Sequence, residues 1–338
     1  MTDPIYPLGK LPADHLAALL GRYQANDPRL IIGGQVGEDA AVIDMGDRYL
    51  VAKTDPITFA TDEIGWYAVN INANDIACTG ANPKWFLATI LLPEDKTTPG
   101  LVDRLFGQII AACAELEISL AGGHTEITYG LERPIIVGQL LGEVDKEKLV
   151  KTGGARPGDD LVLTKTIAIE ATAIMAAEKR AELEADYSPA ELNRLAGYLH
   201  YPGISVVPEA KIATEVGGVT AMHDPTEGGI ATGLHELATA AAVGLEIFAP
   251  ALPFNIDCTR LCQRFGLDPL GIIASGSLLL TIDPAYSPGL ATRLAEAGIA
   301  ATTIGRVREA GFGVKLVGPN NSRPLPTFER DEITKLFE

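Results

Sequence analysis

Four cysteines in 338 residues, Cys78, Cys113, Cys258 and Cys262, are too few to staple a fold of this length, so a disulfide-built secreted scaffold is excluded. They are expected to be reduced and buried. Long apolar runs are also missing, although 47% of the residues are hydrophobic. Stretches such as Trp85 to Leu92 and Leu278 to Ile282 fall well short of the roughly 20 residues that span a bilayer. The opening Met1-Thr2-Asp3-Pro4 has neither the basic nor the apolar region of a secretory signal, which points to a cytoplasmic protein. Basic clusters are absent too. With 27 Lys and Arg against 44 Asp and Glu, the net charge of -17 argues against a nucleic-acid partner, whose phosphates need a basic face. An acidic chain can still take a nucleotide if a divalent metal screens the phosphates.

What is present is a spaced series of carboxylates near the N-terminus. Gly37-Glu38-Asp39-Ala40-Ala41 leads into apolar residues, Lys53-Thr54-Asp55-Pro56 follows, and Asn74-Asp75 precedes Gly80-Ala81-Asn82-Pro83. Two apolar runs, 40–45 and 49–53, flank the turn pair Gly46-Asp47 and read as a hairpin, with Asp39 at its entry and Asp55 past its exit. Ile64, Ala68, Ile71 and Cys78 share one helix face, stopped by Gly80 and Pro83. Asp75 follows Ile71 by four residues, so it points with the packed face and requires a metal or a cation as partner. A strand is expected at 84–92, a helix over 102–116, and a short strand at 118–121 that ends in the polar turn Gly122-Gly123-His124-Thr125-Glu126.

Residues 151–160, rich in glycine and charge, read as a linker and divide the chain into domains of 1–150 and 151–338. The second half repeats the strand, polar turn, helix habit. A helix is expected over 169–185, and strand 219–222 enters Asp224-Pro225-Thr226-Glu227-Gly228-Gly229 ahead of a helix of small residues. The fold class is α/β or α+β throughout.

Taken together, Gly37 to Ala41, Thr54-Asp55, Asn74-Asp75 through Pro83, Gly122 to Thr125 and Asp224 to Gly229 resemble the aminoimidazole ribonucleotide (AIR) synthase superfamily, in its order and over nearly the whole chain. Within it the chain is most similar to the hydrogenase-maturation dehydratases of the HypE group. The resemblance implies a two-domain protomer whose N-terminal strands form a shared barrel in a homodimer, with ATP and Mg2+ as cofactors. Carried over, Asp39, Asp55, Asp75 and Asp224 would hold metal, and Lys53, Asn74, Gly122, Gly123, Thr226, Gly228 and Gly229 would lie along the nucleotide. His124, Thr125 and Glu126 would stand near the reacting end. The implied chemistry is phosphoryl transfer from Mg-ATP to an amide-type carbonyl oxygen, in hydrogenase or other metalloenzyme maturation, on a small-molecule substrate or with a partner maturation protein.

Plainer readings stand beside each assignment. Asp39 could be a helix cap, Asp55 a turn carboxylate, Asp75 a salt-bridged buried acid, Asp224 an N-cap and Lys53 a solvated strand residue. The HypE-like dehydratases end in a cysteine that carries the carbamoyl group, whereas this chain ends Thr334-Lys335-Leu336-Phe337-Glu338. The tail, 319–338, is expected to be flexible and to carry no substrate. Two rival functions follow: a small-molecule kinase like thiamine-monophosphate kinase, and a nucleotide-binding maturation scaffold without catalysis.

Overall fold

The computed structural model describes residues 6, 11–22, 27–34, 40–57 and 62–337. Asp39, with the rest of Gly37-Glu38-Asp39, lies outside the described residues.

Two sheets organise the chain. The first has the order β1 (Leu30–Ile32), β2 (Ala41–Asp44), β3 (Tyr49–Ile57), β6 (Ile135–Val144), β4 (Asn82–Pro93), β5 (Ser119–Thr128). All neighbours are antiparallel except β4 and β5. Helix α1 (Ala13–Leu20) precedes this sheet, and α2 (Ile64–Cys78) and α3 (Pro99–Glu115) pack with it. The second sheet runs β13 (Ser322–Pro324), β12 (Val314–Val317), β9 (Gly244–Phe248), β11 (Ala301–Arg308), β7 (Asp160–Thr164), β10 (Leu279–Ile282), β8 (Val219–His223). Its helices are α4 (Ile169–Glu178), α5 (Arg180–Leu183), α6 (Pro189–Ala196), α7 (Val207–Val216), α8 (Gly229–Ala241), α9 (Ile256–Phe265) and α10 (Ser287–Glu296).

Local chemistry accounts for the element ends. Gly46, at φ +104°, turns the β2–β3 hairpin while its N–H donates to Asp44. Thr98 caps α3 ahead of Pro99, and Ser188 with Glu191 forms a reciprocal capping box on α6.

Every residue of α2 is buried. The helix seats closely because β6 offers glycines beneath it. A Cβ on Gly142 would stand 2.4 Å from the Ile76 side chain. Burying α2 on all sides also buries its polar residues, Asn70, Asn72, Asn74 and Asp75. Each therefore needs a partner inside the protein. Around it lie fully buried Ile64, Ile76, Phe86, Ile90, Ile109, Ile136 and Leu140, in a cluster that continues into the second sheet.

Several expectations are corrected. Asp55 lies within β3, not past its exit. Gly122 to Glu126 do not form a turn: they continue the strand begun at Ser119, which pairs in parallel with β4 through a bulge at Ala121. The helix expected over 169–185 ends at Glu178 and restarts at Arg180. Residues 151–160 are not a loose linker. Thr152, Asp159 and Asp160 are buried, and Gly154 presses on the Thr220 carbonyl so closely that a Cβ would stand 2.0 Å from its oxygen. The C-terminal stretch is packed: Ile333, Thr334 and Leu336 are buried in a 3-10 turn over Glu332–Phe337. The cysteines are all free and buried, as expected. No helix among the described residues is long and apolar enough to cross a membrane.

Candidate active site

The acidic residues gather around the C-terminal half of α2. β3 brings Lys53 and Asp55, whose side chains share a face because successive strand residues alternate. Lys53 Nζ lies 3.0 Å from Asp75 Oδ2 and 3.7 Å from Asp55 Oδ2. The lysine is thus neither a solvated edge residue nor an isolated point charge; it bridges two of the expected metal-binding carboxylates. The pair with Asp75 is nearly enclosed, so its attraction is screened far less than that of a surface pair.

One turn beyond Asp75, Cys78 Sγ approaches Asp224 Oδ1 at 3.7 Å. Asp224 follows β8 and is 1% exposed, a burial that a plain surface N-cap would not require. Helix α2, which carries Asp75, therefore links Asp55 from the first sheet to Asp224, which follows the second sheet's β8. Among the described residues, no group of three or more His, Cys, Asp or Glu side chains is placed to hold a metal alone. The hard carboxylate donors suit magnesium bound through one or two carboxylates, with phosphate and water oxygens completing the shell.

Asn74 does different work. Its amide nitrogen donates to the Ile204 carbonyl at 2.9 Å, and its oxygen accepts from Val206 N–H at 2.8 Å. Both ends of the amide thus hold the 204–206 loop against α2. Gly228 N–H donates to Asp331 Oδ2 at 2.6 Å, so the tail occupies the amide expected to meet phosphate. Thr226 accepts Ala274 N–H through its carbonyl, and a Cβ on Gly229 would stand 2.6 Å from the Leu270 and Ile272 carbonyl oxygens. These residues lock the loop to segment 270–274.

His124, Thr125 and Glu126 lie apart from this cluster on exposed β5. His124 Nε2 and Glu126 Oε2 are 3.5 Å apart. Between β3 and β5 stand β6 and β4, so three strand spacings, about 14 Å, separate the two groups in one sheet. Gly123, at φ +147°, is required where β5 crosses Ala88: a Cβ there would fall 2.0 Å from the Ala88 oxygen. A cleft of about 360 Å³ opens beside it, lined by Ile90, Phe106, Ile109, Leu120 and His124 among others.

Three polar residues escaped the motif reading. Glu170, Thr166 and Ser275 are embedded in apolar or small-residue runs and belong to no recurring pattern. A lone carboxylate in the run Ile169 to Ala176, which otherwise holds only apolar residues and Thr172, was the available signal. Burial pushes the Glu170 carboxyl up to about 7, assisted by Asp331 and Glu227 and opposed by nearby Ser275.

Comparison with known proteins gives this geometry a context. Residues 37–144 match the family model for AIR synthase related protein, N-terminal domain, and residues 156–317 match the corresponding C-terminal domain. The carbamoyl dehydratase HypE of Cupriavidus necator is 30% identical over 285 residues, covering 81% of this chain and 78% of that protein. The structure of the hydrogenase maturation protein HypE in complex with ATP superposes with a TM-score of 0.72 at 22% identity, covering 90% of this chain and 91% of the other. AaThiL complexed with AMPPCP and TMP gives 0.69 at 24% identity, covering 88% and 92%. The two-sheet fold is therefore shared with both.

Proposed function

Because the chain belongs to the AIR synthase related family, we propose that it is an ATP-dependent enzyme that activates an amide-type carbonyl oxygen by phosphoryl transfer, as expected of a relative of the dehydratase HypE. The observation that carries this reading is the convergence on α2. Asp55 and Asp75 share Lys53, and Asp224 meets the same helix one turn further on.

In this reading Asp55, Asp75 and Asp224, with Asp39, hold magnesium, which supplies charge neutralisation of the triphosphate. Lys53 fixes Asp55 of its own strand and Asp75 of α2, and its ammonium, held between the two, offsets their charge beside the phosphates. Asn74 serves by holding the 204–206 loop on α2. The protein's main contribution is positioning and electrostatics, as in phosphoryl transfer generally. Residues 1–150 form the nucleotide-binding domain and 151–338 the domain that supplies Asp224 and the acceptor's surroundings. The protein works in the cytoplasm.

The exposed β5 edge supports a homodimer. All nine residues from Ser119 to Ile127 are exposed, Leu120 and Ile127 among them, and Ile110 of α3 is an exposed apolar side chain as well. A ten-residue strand open in this way is a ready pairing edge. Pairing through it would bring His124, Thr125 and Glu126 to the interface, where they could complete a neighbouring protomer's site. Light scattering should give twice 35.7 kDa; a stable monomer contradicts the shared barrel.

Likeness to the ATP-analogue complex of AaThiL favours a small-molecule kinase as the second reading. Mass analysis of products from Mg-ATP and candidate acceptors separates the readings. A dehydrated product supports the first, a phosphorylated one the second. ATP bound without turnover leaves a maturation scaffold.

A further inference from the structure

A buried lysine stands outside the carboxylate cluster. Lys165 directly follows β7, is 9% exposed, and has left-handed backbone at φ +53°. A non-glycine residue is strained there, and such strain persists only where the surrounding structure holds the residue in place. Its N–H donates to the Ala300 carbonyl at 2.7 Å. Its ammonium is ringed by oxygens: it donates to the Ser205 carbonyl at 2.6 Å and to the Gly203 carbonyl at 3.2 Å, and Glu209 Oε1 lies 2.7 Å away. Glu209, in the first turn of α7, is 1% exposed. Taking two charges out of water costs about as much as their attraction returns, so a buried ion pair is a poor source of stability. What this one supplies is a fixed geometry.

The segment held by Lys165 is the one that Asn74 holds from α2. The Gly203 and Ser205 carbonyls go to Lys165, while the Ile204 carbonyl between them and the Val206 N–H go to Asn74. Segment 203–206 is therefore gripped twice, by a lysine that follows a strand of the second sheet and by an asparagine one residue before Asp75. Helix α7, which starts at Val207, extends the arrangement. Val206, Ala210 and Ala213 pack in one cluster with Ala77 and Cys78 at the end of α2 and with Met222 of β8. Asp75 lies just before that end of α2, Asp224 lies just after β8, and Cys78 Sγ meets Asp224 Oδ1 at 3.7 Å. The grip of Lys165 thus acts on the piece of chain against which α2 and β8 both pack.

We propose that Lys165, with Glu209, is a positioning residue for the nucleotide site: by fixing segment 203–206 and α7 it keeps Asp75 of α2 in register with Asp224, and so sets the carboxylates that receive the magnesium-bound triphosphate. This rests on the phosphoryl-transfer reading above. The effect is carried through Asn74, since both residues grip one segment. Two residues that act through a shared element work as a unit, so their effects on nucleotide binding do not add. A lysine that served folding alone would lower stability and leave the affinity of the folded protein unchanged.

The test measures calorimetric affinity for a non-hydrolysable ATP analogue with magnesium in the parent chain, in Lys165→Met combined with Glu209→Gln, in Asn74→Ala, and in all three changes together, each under conditions where circular dichroism shows it folded. Changing both members of the ion pair avoids leaving one charge alone in the interior. The expected result is an affinity at least about fivefold lower in the pair variant and in Asn74→Ala, with the combined variant within about threefold of the weaker of the two. Glu209→Gln alone, which keeps an oxygen for the ammonium, should weaken binding at least about twofold and decides the matter if the pair variant does not fold. A smaller loss in the folded pair variant, effects that multiply in the combined variant, or, where the single change must decide, an affinity within twofold of the parent overturns the positioning role and leaves nucleotide binding standing. A parent that binds no analogue overturns the phosphoryl-transfer reading itself, and this role with it.

Discussion

Replacing Glu170 by glutamine should stabilise the protein in alkaline but not in acidic solution, whatever the chain's activity. The Glu170 carboxyl, ordinarily near 4.5, is raised to about 7 by complete burial. A carboxyl whose folded value exceeds its unfolded one favours the folded state fully only below about 4.5, and that contribution is lost as the pH rises through 7. At 1.36 kcal/mol per pH unit, the full penalty above pH 8 is about 3 kcal/mol. About 1 kcal/mol of it is already present at pH 5 by the same linkage. The amide cannot ionise, so the stability difference between Glu170→Gln and the parent should grow by about 2 to 3 kcal/mol from pH 5 to pH 8.5. Urea titrations of both proteins at the two pH values give this difference, and every other titrating group cancels in it. A difference that stays constant within 0.5 kcal/mol, on the order of the additivity error of independent groups, refutes the buried, proton-holding state.

Asn74→Ala removes two buried hydrogen bonds and leaves Val206 N–H without its acceptor; a loss of about 2 to 4 kcal/mol in urea titration is expected, and a loss under 0.5 would show that the latch carries little. Asp75→Asn leaves Lys53 partly buried beside Asp55 alone, so a destabilisation of about 1 to 3 kcal/mol should accompany weaker analogue binding; normal binding in a destabilised variant would make the residue purely structural. Gly123→Ala drives a methyl into the Ala88 carbonyl and should cost more than about 2 kcal/mol, with loss of the dimer in light scattering; an unaltered melting temperature would contradict the β4–β5 geometry.

Much of this architecture was legible because it rests on short-range signals. The β2–β3 hairpin announces itself through Gly46-Asp47, and α2 through Ile64, Ala68, Ile71 and the stop at Gly80. Asp75 was readable as an acid needing a cation because its spacing from Ile71 put it on the packed face; Lys53 is that cation. The failures share a different cause. Gly122-Gly123 looks like a turn locally, yet pairing with β4 imposes extended backbone, and the glycines serve a close crossing over Ala88. The tail looked loose because its polar residues have no local partners. Asp331 finds them in Gly228, Ile273 and Ile333 N–H groups, two of them distant in sequence. Glu170 and Ser275 meet only through the tertiary fold, so no spacing could reveal them.

If the carboxylates gathered around α2 hold a magnesium-bound triphosphate, nucleotide binding must depend on magnesium. Calorimetry of a non-hydrolysable ATP analogue, run with magnesium and again with excess chelator, tests it directly, because acids beside a triphosphate repel it unless metal intervenes. Tight binding with magnesium and binding at least tenfold weaker with chelator is the predicted result. Equal affinity in the two conditions, or no binding in either, contradicts the claim.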